Sequence, residues 1–160
     1  MLLNYTTTIS PEKTVAEIQS KLAKAGAWQI LHEYERTTRE LVGLSFRIDT
    51  EFGPIAFRLP ANIAAVEMIL TRQRKRSRYL KKPGDREQAT RVAWRILKDW
   101  VEAQLALIET GQVKLEQVFL AFAQDSKGRT VYEGIKERKF AGLLMMEGDD
   151  RKVVNMENAV

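Results

Sequence analysis

Val42, Leu44, Phe46 and Ile48 alternate with Gly43, Ser45, Arg47 and Asp49. A period of two turns one face of a strand to a core and the other to water, so the pattern predicts a strand over 41–50. Glu51-Phe52-Gly53-Pro54 breaks the alternation as a hairpin turn, and Ile55 to Leu59 forms the return strand, closed by Pro60. Arg47 and Arg58 fall on the exposed face of that hairpin. Trp28 to Tyr34 reads as a further strand. Asn4 to Ile9, where Tyr5, Thr6, Thr7, Thr8 and Ile9 all favour extended backbone, reads as the first.

Helical spacing fills the rest. Ser10-Pro11 is a start signal, a capping hydroxyl followed by proline at the first helical position. Val15, Ile18, Leu22 and Ala25 then recur at three and four residues, and Gly26 ends the helix. A second helix starts at Ala61, carries Ile63, Val66, Ile69 and Leu70, and ends near Lys81-Lys82-Pro83-Gly84. Asp85 caps a long third helix, from about Arg86 to Glu109. Its apolar positions are Ala89, Val92, Ala93, Ile96, Leu97, Trp100, Val101, Leu105 and Ile108, a stripe wide enough to predict heavy burial. Gly111 ends it, and Leu115, Val118, Phe119 and Phe122 suggest a short fourth helix. Asp125 to Arg129 reads as a loop, and Phe140 to Met146 as a strand or short helix that packs back. The order β-α-β-β-β-α-α-α predicts an α+β fold, a small antiparallel sheet with helices on one face. Residues 1–146 are expected to form a single domain and 147–160 a mobile tail.

Charge changes the picture more than composition does. The chain has 160 residues and a net charge of +5. Residues 1–71 carry a net −1, residues 72–98 a net +9 and residues 99–160 a net −3. Between Arg72 and Lys82 stand seven cations, Arg72, Arg74, Lys75, Arg76, Arg78, Lys81 and Lys82, with no acid among them. Such a run favours phosphate, and arginine can fork onto it bidentately. Tyr79 can stack on an unpaired base. Arg91, Arg95 and Lys98 follow at helical spacing and are expected to extend the surface as a ridge on the exposed side of the third helix. A solvated face that complements a helix dipole, or a dock for an acidic protein, remains open for the same residues.

Other chemistry is disfavoured. There is no cysteine and one histidine, His32, so neither a thiolate site nor zinc is expected. No serine stands in an elbow motif, and no glycine-rich phosphate loop occurs. Glu33 with Glu35, and Asp49 with Glu51, share strand faces and would suit a metal-dependent nuclease if they met at one end of the sheet. Polar strand faces carry such acids routinely, so no metal, catalytic residue or cofactor is expected. Trp28, Trp94 and Trp100 read as core. No stretch approaches a membrane span, and the N-terminus lacks the features of a signal peptide, so a cytoplasmic protein without a membrane partner is expected.

The passage Gln88 to Gln104, with its Val92-Ala93-Trp94-Arg95-Ile96-Leu97-Lys98-Asp99-Trp100 centre, resembles the central helix of small uncharacterised proteins of bacterial prophages and mobile elements. Phe57-Arg58-Leu59-Pro60 in the preceding hairpin extends the resemblance. It implies a non-enzymatic accessory protein, and two classes follow. One binds DNA or RNA, similar in outline to phage annealing proteins. The other is an anti-defence inhibitor of the anti-CRISPR type, which binds a host nuclease complex. The first class would bind naked nucleic acid, the second only together with its protein target.

Overall fold

The structure, a computed structural model, describes residues 1–76 and 86–144, Arg76 by its backbone alone. Helix α1 (Pro11–Lys24) begins where Ser10 Oγ accepts from Lys13 N at 3.3 Å, and Pro11 occupies the first helical position. Gly26 follows it at φ +104°, a conformation open to glycine at little cost. The buried side of α1 is Thr14, Val15, Ile18 and Leu22.

Strands β1 (Gln29–Tyr34), β2 (Leu41–Thr50) and β3 (Gly53–Pro60) form an antiparallel sheet in that order. β2 has the predicted bounds. Its alternation holds from Leu44 onward, with Leu44, Phe46 and Ile48 buried and Arg47 and Asp49 exposed. At its start the pairing with β1 steps from Glu33–Gly43 to Tyr34–Leu41, so Val42 is the extra residue of a bulge. The hairpin turn is tighter than predicted, since Thr50 already pairs with Gly53.

Helices α2 (Ile63–Arg76) and α3 (Arg86–Glu109) pack against each other, and α1 packs on α3. α3 has the predicted bounds, and Trp94 is fully buried in it, its indole N–H donating to Leu41 O at 3.3 Å. The predicted fourth helix is α4 (Leu115–Phe119), continued by a 3₁₀ turn over Leu120–Phe122. Phe119 meets Phe46, Phe57 and Trp100 edge-on, with ring centroids 5.5–5.9 Å apart. These rings join the helical layer to the inner face of the sheet in one apolar cluster. The fold is α+β, with the predicted helix-on-sheet arrangement.

Two expectations are corrected and one unpredicted element appears. Asn4–Ile9 is not a strand. Asn4 sits at φ +61° in a turn, and the carbonyls of Tyr5 and Thr7 each accept from the Gln88 side chain at 3.0 Å. A side chain satisfies acceptors that a strand partner would have taken, so the observed order starts with α1. Residues 131–137 form a further helix, α5 (Val131–Glu137), capped reciprocally by Thr130 and Glu133. Phe140–Leu144 forms turns, not a strand or helix, and leaves Leu143 and Leu144 exposed. Arg78, Tyr79, Lys81, Lys82, the Asp85 cap and the predicted tail from 147 lie outside the described residues.

Candidate nucleic-acid interface

α2 begins with Asn62 Oδ1 accepting from Ala65 N at 3.1 Å and buries Ile63 and Leu70. Helical spacing then turns Met68, Ile69, Arg72 and Lys75 outward. Arg72 and Lys75 form no ion pair among the described residues. Arg74 lies on the opposite side, half-buried, and its Nη1 is enclosed without a hydrogen-bond partner among the described residues. Gln73, between them, accepts from Leu2 N at 3.2 Å and ties the N-terminal segment to α2.

The expected ridge on α3 is not an exposed one. Lys98 is only 9% exposed and bridges to Glu102 at 2.5 Å, with Asp99 at 3.7 Å. Glu102 also holds Lys21 of α1 at 2.8 Å, and the two ammonium groups, Lys21 first, pull its carboxyl below the usual range. Arg95 reaches across to Glu17 of α1 at 2.7 Å, and Arg91 pairs with Glu87 one turn earlier. Helical spacing does align Arg91, Arg95 and Lys98, but each has an acid within reach, Glu17 of α1 for Arg95 and Glu87 and Glu102 of α3 itself for the other two. Arg95 and, through the shared Glu102, Lys98 tie α3 to α1, while Arg91 is paired within α3.

Arg86, at the start of α3, forms a clamp. It donates to Glu40 through Nε at 3.1 Å and Nη2 at 2.5 Å, and to Glu67 of α2 through Nη1 at 3.0 Å. Thr90 adds a hydroxyl donor to Glu40 at 2.9 Å. These bonds, Arg86 first, hold the Glu40 carboxyl below its ordinary value. The clamp sets the β1–β2 loop, α2 and α3 in register.

The four strand carboxylates do not assemble. Glu33 accepts from Ser45 Oγ and from Arg58 Nε at 2.7 Å on the outer sheet face. Glu35 closes the β1–β2 turn, accepting from Thr37 N at 2.8 Å and Thr38 N at 2.5 Å. Asp49 and Glu51 lie at the other end, where antiparallel pairing must put them, and Glu51 bridges to Lys114 at 2.9 Å. Among the described residues no group of three or more acids or histidine is placed to hold a metal. His32 is exposed on β1, 2.6 Å from the Gln19 amide.

Of the tryptophans, Trp94 is core and Trp100 packs on Phe119 and Phe122, but Trp28 is 55% exposed, against the core reading. It lines a cleft with Arg47, Pro54 and Ala56 of the β2–β3 hairpin, and no helix among the described residues lines that cleft. A cleft of about 540 Å³ lies between the end of α1 and the second half of α3. Leu105 and Ile108 line it, and its charged pair, Lys21 and Glu102, is mutually satisfied. No helix among the described residues is long and apolar enough to cross a membrane. No family model matches the chain, and neither a curated protein nor a solved structure does.

Proposed function

We propose that the protein binds nucleic acid without catalysing a reaction on it, through a basic surface that starts on the last turns of α2 and continues along the chain to Lys82. One observation carries the reading. Arg72 and Lys75 face solvent with no acidic partner among the described residues, while Arg86, Arg91, Arg95 and Lys98 are all ion-paired. The cations of 72–82 repel one another, and phosphates relieve that repulsion while releasing condensed counterions. Met68 and Ile69, 57% and 38% exposed, lie one turn before them and offer apolar contact to sugars or bases. Tyr79 supplies a ring for stacking where the bases are unpaired.

The test is binding to labelled single- and double-stranded DNA and RNA across a salt titration. Affinity is expected to fall steeply, with a log–log slope of about −0.9 per neutralised phosphate on duplex and about −0.7 on single strands. Charge reversal of Arg72 and Lys75 together (R72E/K75E) is expected to flatten the slope by about 2. Because neither side chain has an ion-pair partner among the described residues, the melting temperature of that variant should stay near that of the parent. Absence of binding at low salt overturns the proposal, as does unchanged binding by the folded double variant.

A further inference from the structure

The two edges of the sheet are treated differently. The edge of β3 is covered: Gln124 N donates to Ala56 O at 2.8 Å, and Ala123 bridges to Phe57. The edge of β1 has no strand partner among the described residues. Among the described residues β1 pairs with β2 alone, so its outward N–H and C=O groups are left to solvent. Natural edges are guarded by lysine, proline, inward-pointing charge or a bulge in the strand itself. Gln29–Tyr34 contains no lysine, arginine or proline, and its one irregularity is the extra residue on β2. Leu31 and Tyr34 are 52% and 54% exposed along it, and Trp28, the residue before it, is 55% exposed. A six-residue edge without a described strand partner, lysine, arginine or proline is a template for another strand.

The chemistry of β1 also says which strand. With no cation on it, the edge has nothing for a polyanion. Its one carboxylate, Glu33, is already held by Ser45 and Arg58. An antiparallel copy of β1 centred on Leu31 sets Trp28 against Tyr34, Gln29 against Glu33, Ile30 against His32 and Leu31 against itself. No carboxylate then faces a carboxylate, and the large side chains face one another, as favourable cross-strand pairs do. We propose that two copies of this chain associate by pairing their β1 strands antiparallel about a two-fold axis at Leu31, joining the two three-stranded sheets into one. The pairing is isologous, so it closes at the dimer. It uses none of the residues assigned to nucleic-acid contact and stands apart from that reading.

Sedimentation and light scattering over a concentration series test the pairing. The mass is expected to rise from the 18.4 kDa of one chain to twice that value. Leu31→Lys places two ammonium groups opposite each other at an exposed position, and should weaken association about tenfold or more with unchanged circular dichroism. The chain has no cysteine, so a single Leu31→Cys reports the register directly. Opposed residues in antiparallel strands lie about 4.5–5.5 Å apart at Cα, within disulfide reach. L31C should therefore cross-link under mild oxidation much faster than a Phe52→Cys control at the hairpin tip. A chain that stays at the monomer mass at every concentration overturns the proposal. So does a dimer that L31K leaves intact and L31C does not cross-link faster than the control.

Discussion

Glu40 takes three hydrogen bonds on two oxygens from Arg86 and one more from Thr90, and its side chain is 16% exposed. Its folded carboxyl titrates below its unfolded one, so its contribution to stability is fully present above the ordinary carboxylate range and is lost as pH falls through the lowered value. Glu40→Gln keeps the shape and removes the charge. The expected loss is about 1–2 kcal/mol at neutral pH, below that of a fully buried pair because Arg86 is half in solvent. The variant and the parent should converge in acid, and urea midpoints measured from neutral to acid pH check it. Constant separation across that range would show the charge to be irrelevant. Nothing in the local sequence announces this clamp, because Glu40 and Arg86 are 46 residues apart. The exposure of Trp28 was equally hidden: residue type argues for core, and only the fold places the indole in the cleft beside the β2–β3 hairpin.

At the scale of elements, legibility follows how local the determinants are. β2 and α3 carry their own periodicity over ten and 24 residues, and both appear with the predicted bounds. Asn4–Ile9 has strand propensity but no alternation and no neighbour, and the Gln88 amide decides its conformation from 81–83 residues away. α5 was legible in principle, since Thr130-Val131-Tyr132-Glu133 spells a capping box, but its seven residues are too few to show a hydrophobic period. Capping also gives the element-scale prediction. Ser10→Ala removes the acceptor for Lys13 N and should cost about 1 kcal/mol, or roughly 2–4 °C in Tm for a chain of this size. Ser10→Asp should keep stability close to that of the parent, since aspartate accepts the same bond beside the positive end of the helix. A thermal melt in which alanine and aspartate behave alike would show that the cap is not what orders α1.

For the whole molecule, a charge tally along the chain locates the excess between 72 and 98 but cannot see which cations the fold has already matched. Arg95 finds Glu17 across 78 residues, and Lys98 shares Glu102 with Lys21. Within the segment, Arg86, Arg91, Arg95 and Lys98 are therefore ion-paired, whereas Arg72 and Lys75 have no acidic partner among the described residues, and the two sets must answer differently to substitution. Arg95→Ala leaves Glu17 without its partner at a contact 18% and 30% exposed, which should cost about 1 kcal/mol of stability. Its effect on the salt slope of nucleic-acid binding should be near zero, because that guanidinium is occupied. Arg72→Ala should do the reverse, lowering affinity and flattening the slope by about 1 while leaving Tm in place. Each variant is measured twice, once by thermal melt and once by salt titration, so the comparison separates the roles without relying on either alone. If Arg95→Ala weakened binding as much as Arg72→Ala at equal folded fraction, the α1–α3 face would belong to the interface after all. The boundary drawn at the end of α2 would then be wrong.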